Sequence, residues 1–421
     1  MLDIKFIREN PEKVREGAAS KNIEVPIEEI LRLDEEYREL SRVLQELYAQ
    51  RNRAAKEKDI EGGREIKAEV GSQEGKLKEI EERLNNLLSR IPSLPLVGVP
   101  RGNESKSELI RNNGSIRAYE FKTRDHLELG EILSIIDVER AAKVSGTRFG
   151  YLKNEGVLLE LALVQFAMDA LMKEGFSPVI PPSLIKFDIA QKLGYWNADN
   201  HNNYYLVTDY EDMGSGKEQD NPLYLIGTGE HAIVPMHKDE TLLGKELPMK
   251  YVAFSPCYRR EAGSYGKDTR GILRVHQFDK VEMVEFVKPE EDEVERRKML
   301  SIAEKLMQAL ELPYRVVKLA GGDLAFPSAE TIDIETWMPA QNKYRETHSV
   351  STTTDFQARR LNIKYQDGAE KKFVHILNGT AFAIGRTLIA ILENYQEEDG
   401  SVIIPEVLKN YINIDKITPK R

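Results

Sequence analysis

The sequence predicts an α+β protein in two parts, an N-terminal antiparallel coiled-coil arm followed by a larger body in which short strands alternate with helices. Three observations carry that expectation. Apolar residues recur in steps of four and three through the first hundred positions, a proline-rich stretch ends that rhythm, and β-branched and aromatic runs begin beyond residue 105.

The first seam runs Leu33, Tyr37, Leu40, Leu44 and Leu47, a spacing that keeps one side chain per turn facing a partner helix. The second runs Ile66, Val70, Leu77, Ile80, Leu84, Leu87 and Ile91 with one position missed, and charged residues fill most places between. Residues 59–63 hold the pair Gly62-Gly63. A glycine pair weakens a helix and permits a tight reversal, so the chain is expected to fold back there. At about 1.5 Å per residue each helix is on the order of 45 Å long, which makes the hairpin, over about 28–91, an arm. Its exit, IPSLPLVGVPRG, has Pro92, Pro95 and Pro100, which cannot continue a helix. The expected domains are therefore 1–104 and 105–421.

In the second part YVAFS and VEMVEFV read as strands and 160–174 as a helix ending near Gly175. FSPVIPPSLI reads as a strand interrupted by Pro181 and Pro182, suited to an edge or an interface. The polar stretch 197–221 reads as a loop.

Composition excludes several function classes. The 421 residues are 41% hydrophobic and 31% charged, without the run of roughly 18 to 20 apolar residues a bilayer needs, so no membrane span is expected. MLDIKFIREN lacks a basic flank followed by an apolar core, and with one cysteine, Cys257, the chain is expected in the cytoplasm without disulfide or structural zinc. A net charge of -10 argues against whole-surface attraction to nucleic acid but leaves room for a local basic patch.

Three clusters combine cations, acids and small residues as no core requires. The first is Tyr258-Arg259-Arg260-Glu261 with the return RVHQFDKVEMVEF. If the chain stays extended, Arg259 and Glu261 share one face, and so do Lys280 and Glu282. A guanidinium can grip a phosphate while a carboxylate takes a base or an amine, although a solvated charged hairpin has the same residues. The second, Tyr344-Arg345-Glu346-Thr347-His348-Ser349, offers Glu346 and Ser349 as hard oxygen ligands for magnesium, and also reads as an ordinary Ser/Thr-rich loop. The third, LNGTAFAIGRTLIAILENYQ, is an apolar strand, a turn of small residues at Asn378-Gly379-Thr380 and an amphipathic helix beginning near Gly385 with Arg386 at its start. Thr228-Gly229-Glu230 is weaker, a pair two apart on a half-buried strand.

Together these clusters resemble the signature motifs of the class II aminoacyl-tRNA synthetases, most closely the seryl-tRNA synthetase family. EAGSYGKDTRGILRVHQFDKVE is similar to motif 2, DFQARRLNIKY to a segment typical of the serine enzymes, LNGTAFAIGRTLIAILENYQ to motif 3, and FSPVIPPSL to the dimer-forming motif 1. The resemblance covers nearly the whole chain, arm included. It implies an antiparallel-sheet catalytic domain flanked by helices, ATP and L-serine as substrates, Mg2+ as cofactor without zinc, and a homodimer. It further implies tRNA(Ser) as acceptor, with tRNA(Sec) as a second candidate.

Carried over by position, Arg259, Glu261 and Arg386 are implied as catalytic, with Arg259 on the α-phosphate, Glu261 on adenine and Arg386 on the γ-phosphate. Arg260, Val275, Thr347 and His348 complete the implied ATP site. Glu346 and Ser349 are implied to hold magnesium, and Thr228, Gly229, Glu230, Arg259, Glu282 and Thr380 to hold serine. Near the arm's tip Arg51, Arg53, Lys56, Lys58, Arg64 and Lys67 are implied to meet the tRNA, reading shape more than sequence. The chain departs from the family pattern at Gly229, where alanine is usual, at Thr380, at Ala381-Phe382 and in ETHS, which bears on pocket shape more than on the reaction. Two further readings stay open: a synthetase-like paralogue loading a non-tRNA acceptor, and an inactive RNA-binding scaffold.

Overall fold

The computed structural model describes residues 2–195, 203–207, 222–262 and 270–420. Most of the polar stretch 197–221 and the Gly- and Lys-bearing loop 263–269 lie outside the described residues. Where 197–221 is described, Leu206–Val207 is a short strand paired with Leu223–Leu225. The chain divides into two compact units, Met1–Leu94 and Pro95–Arg421.

In the first unit two short helices, Ile4–Glu9 and Pro11–Ala19, precede the long antiparallel-seam helices Ile27–Glu57 and Ile60–Ser89. Their inner faces carry the expected apolar residues: Leu33, Leu44, Leu47, Val70 and Leu84 are buried. The reversal lies earlier than expected, at Lys58 and Asp59. Lys58 turns left-handed (φ 57°) and its N–H closes on Ala54 O, while Asp59 caps the next helix by accepting from the Gly62 N–H at 3.0 Å. Gly62 and Gly63 are helical. What Gly62 supplies is room, since a Cβ there would stand 2.3 Å from Asp59 Oδ2. Leu33 is 0% exposed among Ile7, Ile30, Leu84 and Leu88. Leu33→Ala is therefore expected to cost the unit about 2–5 kcal/mol, read by denaturant unfolding, with amino-acid activation by the other unit unchanged.

The second unit is built on an eight-stranded sheet. Numbered in chain order its strands are β1 (Glu108–Asn113), β2 (Ser177–Val179), β3 (Met249–Tyr258), β4 (Gln277–Val287), β5 (Tyr314–Lys318), β6 (Glu330–Met338), β7 (Lys343–Thr354) and β8 (His375–Ala383). Their spatial order is β1-β5-β6-β7-β8-β4-β3-β2. All pairings are antiparallel except β2 with β3. Pro181 and Pro182 end β2 at the sheet's edge, and the chain resumes as Leu184–Lys186 in a separate three-stranded sheet. The helix expected over 160–174 begins earlier, spanning Glu155–Lys173, because its first turn, Glu155-Gly156, lacks the apolar periodicity that marks the rest.

Strand alternation sorts the sheet into two faces. Met283, Val350 and Leu377 belong to one apolar cluster with Leu163, Leu306 and Leu388, which come from the helices Glu155–Lys173, Asp292–Ala309 and Ile384–Asn394. Val284 and Ile376, one residue on or back, belong to another. The second face also receives Lys280 and Glu282 from β4, Asp333 from β6, Ser351 from β7, and Asn378 and Thr380 from β8.

Candidate active site

Two adjoining cavities open over that polar face. The larger, about 490 Å³, is walled by Thr228, Glu230, Glu282, Asp333, Ser351 and Asn378 among others. The smaller, about 100 Å³, is walled by Val275, Phe278, Thr380 and Arg386 among others. Arg259, Glu261, Lys280, Glu346 and Ser349 line both, so the two are parts of one cleft.

Arg259 and Glu261 reach the cleft by a different route from the expected one. β3 ends at Tyr258, and Glu261 has φ 50°, so no strand alternation places them together. Instead the Arg259 N–H donates to His276 O at 2.9 Å, its Nε donates to Gly227 O at 3.1 Å, and its guanidinium lies 5.3 Å from the Phe278 ring centre. Glu261 pairs with Arg274 Nη1 at 3.4 Å. Arg260 does not join them: its side chain is exposed, outside the walls of both cavities, its charge acts on Tyr205, and its N–H donates to Asn203 O at 2.8 Å.

Glu346 and Ser349 lie three apart, a spacing that regular alternation sends to opposite faces. A bulge resolves this. His348 pairs with Ile334 and Glu346 with Glu335, leaving Thr347 as the extra residue of β7. Its hydroxyl turns inward, 2.7 Å from Thr336 Oγ1 and 3.2 Å from Ile334 O. His348 is displaced from the expected ATP site. Its ring is fully buried against Phe382, 2.8 Å from the Thr347 hydroxyl, and burial pushes its imidazole down to about 4, so it is neutral at pH 7.

Arg386, at the start of the helix Ile384–Asn394, donates to Glu346 O at 2.9 Å and lies 3.0 Å from Glu346 Oε2. Burial raises the Glu346 carboxyl, but Arg386, Arg259 and Lys280 outweigh it and hold it below the usual range. Asp333 is the reverse. Burial, then the charge of Glu346, pushes its carboxyl well up.

Thr228-Gly229-Glu230 is a turn leading into the short helix Glu230–Ile233 rather than a strand. Glu230 is 2% exposed. Gly229 packs tightly, since a Cβ there would stand 2.8 Å from Ala253 Cβ. Across the cavity Glu282 pairs with Lys280 Nζ at 2.8 Å and accepts from Thr380 Oγ1 at 3.2 Å.

Among the residues that escaped sequence reading as parts of this site are Tyr195, Asn203, Asp333 and Gln357. Only tertiary pairing brings them here, although Gln357 sat in DFQARRLNIKY and Asn203 in the polar stretch 197–221. Among the described residues Asn378 Nδ2 and Asp333 Oδ1 are buried without a hydrogen-bond partner. Such orphaned polar atoms beside a cavity suit a polar ligand. For a divalent cation the donors are hard oxygens, Glu346 and Ser349 beside the cleft, which fit magnesium in company with ligand phosphates. No group of three or more His, Cys, Asp or Glu placed to hold a metal occurs among the described residues.

On the first unit, Arg51, Arg53, Lys56, Lys58, Arg64 and Lys67 are all exposed. The Arg51 guanidinium lies 5.2 Å from the Tyr48 ring centre.

Comparison with known proteins accounts for both units. A family model described as tRNA synthetase class II core domain (G, H, P, S and T) matches residues 205–395, and one described as seryl-tRNA synthetase N-terminal domain matches residues 1–95. The serine-tRNA ligase of Thermodesulfovibrio yellowstonii is 43% identical over 99% of this chain and 100% of its own length. The crystal structure of the Pyrococcus horikoshii seryl-tRNA synthetase complexed with ATP superposes with a TM-score of 0.91 at 40% identity, covering 100% of both chains. That of the Naegleria fowleri cytoplasmic enzyme in complex with AMP has a TM-score of 0.89 at 32% identity, over 100% of this chain and 99% of that one.

Proposed function

The chain belongs to the seryl-tRNA synthetase family, and from that premise we propose how its residues divide the work of activating serine with ATP and passing it to tRNA. The observation that carries the assignment is one cleft in which Arg259, Arg274, Arg386 and Lys280 face six acidic side chains, Glu230, Glu261, Glu282, Asp323, Asp333 and Glu346, across a space large enough for an aminoacyl-adenylate. Neither the paralogue nor the scaffold reading is favoured.

In the first step an oxygen of the serine carboxylate attacks the α-phosphorus of ATP. The bond to the bridging oxygen breaks, diphosphate leaves, and seryl-adenylate remains. In the second a ribose hydroxyl at the tRNA 3′ end attacks the seryl carbonyl and AMP leaves. Neither step needs a protein nucleophile. The residues position the reactants and neutralise charge.

Arg259, held by Gly227 O and Phe278, takes the α-phosphate and the serine carboxylate. Glu261 takes the adenine, with Val275 lining its seat, and Arg386 takes the γ-phosphate that departs in diphosphate. Glu346 and Ser349 would hold magnesium, which would supply positive charge at the phosphates. Glu346→Gln is expected to raise the magnesium concentration for half-maximal activity, read by titration.

Serine lies in the larger cavity, where Glu230 and Glu282 accept its ammonium and hydroxyl protons, with Thr228 and Thr380 beside them. An amino acid lacking the hydroxyl leaves a buried acceptor unpaired, which selects against alanine, and wall contact selects against threonine.

The arm meets tRNA(Ser) through the six cations near its tip, with tRNA(Sec) as a second candidate acceptor. The enzyme works as a cytoplasmic homodimer. Supporting the dimer, Val157, Leu158 and Leu161 lie exposed on one face of the helix Glu155–Lys173, and Ile180 is 85% exposed. No helix among the described residues is long and apolar enough to cross a membrane.

The test is amino-acid-dependent exchange of diphosphate into ATP. Exchange with serine, and little with threonine, alanine or glycine, is the expected result. Exchange driven by another amino acid overturns the serine pocket.

A further inference from the structure

Glu230 does not stand alone in the cavity wall. Gln357, fully buried on the helix Phe356–Leu361, donates from Nε2 to Glu230 Oε1 at 2.7 Å and to Leu193 O at 3.3 Å. Both its N–H groups are thereby used. Its own Oε1 accepts from the Thr353 hydroxyl at 3.3 Å, at the end of β7. Leu193 O can only accept, so it fixes which way the amide points, nitrogen toward Glu230 and oxygen toward Thr353, whose hydroxyl also lies 3.3 Å from Ile376 O. From the other side the Tyr195 hydroxyl lies 3.0 Å from Glu230 Oε2 and 3.2 Å from Oε1. Both side chains that reach the carboxylate here, Gln357 and Tyr195, donate to it.

We infer that Gln357, with Tyr195, is a positioning and specificity-determining residue that keeps Glu230 an acceptor aimed at the amino-acid substrate. This rests on the reading of Glu230 as a serine contact. It also gives a role to DFQARRLNIKY, the segment typical of the serine enzymes, which touches no phosphate or metal in the division of labour above.

The physical argument is one of satisfaction in a dry site. A carboxylate buried this deeply is costly unless donors compensate it. Burial, with a contribution from the Glu282 charge, drives the Glu230 carboxyl up to about 7, while the Gln357 and Tyr195 donors and the Lys280 charge pull it down. The other groups around it on the packed elements are Glu282 and Lys280 on β4, Arg259, Tyr204, and His231. The imidazole of His231 is kept neutral by burial and by the Arg259 and Lys280 charges, which push it down to about 3. None of these replaces a lost amide donor. Without Gln357 the carboxyl takes a proton, becomes a donor in part, and no longer demands two protons from its ligand.

The sign follows. In the free enzyme Glu230 is the form serine needs only above its pKa, so kcat/KM for serine falls as pH drops through that value. Gln357→Met keeps the length and removes the donors. It is expected to move this acid limb upward by about one pH unit and to raise KM for serine at pH 7 by about tenfold, with KM for ATP unchanged. Tyr195→Phe is expected to move the limb the same way by less, and it decides the matter if Gln357→Met does not fold.

The experiment is the pH profile of serine-dependent exchange for wild type, Gln357→Met, Tyr195→Phe and Glu230→Gln. An upward shift in the donor variants, with Glu230→Gln losing the limb altogether, supports the inference. An unmoved limb in both donor variants, with Glu230→Gln still losing it, overturns the inference and leaves the serine site standing. Serine kinetics unaltered by Glu230→Gln overturn the reading of Glu230, and the inference with it.

Discussion

Arg259→Ala should abolish serine-dependent exchange, by at least about 100-fold in kcat/KM. Its guanidinium is pinned before any ligand arrives, by Gly227 O on one side and the Phe278 ring on the other. A preorganised cation of this kind acts where charge develops during attack at phosphorus and need not reorganise as the barrier is crossed. Arg259→Lys should recover little, because an ammonium cannot bridge two oxygens as a planar fork does. The cation and Glu346 are within electrostatic reach, so magnesium dependence should change in the same variant. Thermal unfolding serves as the control, since the side chain sits beyond the end of β3 and not in an apolar cluster.

Replacing Arg51, Arg53, Lys56 and Lys58 together with alanine should weaken tRNA charging by about 10- to 100-fold at physiological salt and flatten its salt dependence. All four are exposed on the Ile27–Glu57 helix or its cap, so the substitution removes four surface cations without opening a core. Diphosphate exchange, which needs no tRNA, should be unaffected. A loss of exchange in this variant would contradict the division of labour between the units.

Local patterns carried the arm well. Its seams are long and strictly periodic, and periodicity over many turns constrains a helix more than any single residue does. The turn was misplaced because glycine reads as a breaker, whereas Asp59 made the break by capping and Gly62 served by being small.

In the sheet, strand identities were legible from β-branched runs, but register was not. The Thr347 bulge is the clearest case. A single extra residue brings Glu346 and Ser349 into one cleft and sends His348 into the core, and nothing in Glu-Thr-His-Ser announces it. Arg259 and Glu261 likewise fall outside strand alternation, since β3 stops one residue before Arg259. Resemblance had already placed both residues together, and the structure supplies a different physical cause. Gln357 and Tyr195 lie 162 positions apart in sequence, and both bond Glu230.

The most direct test of the central claim is a crystal structure with a non-hydrolysable seryl-adenylate analogue. The account predicts the seryl group between Glu230 and Glu282, the phosphate mimic on Arg259, and the adenine in the smaller cavity near Glu261 and Val275. An analogue bound outside this cleft, or one whose phosphate mimic lies beyond hydrogen-bond reach of Arg259, would contradict it.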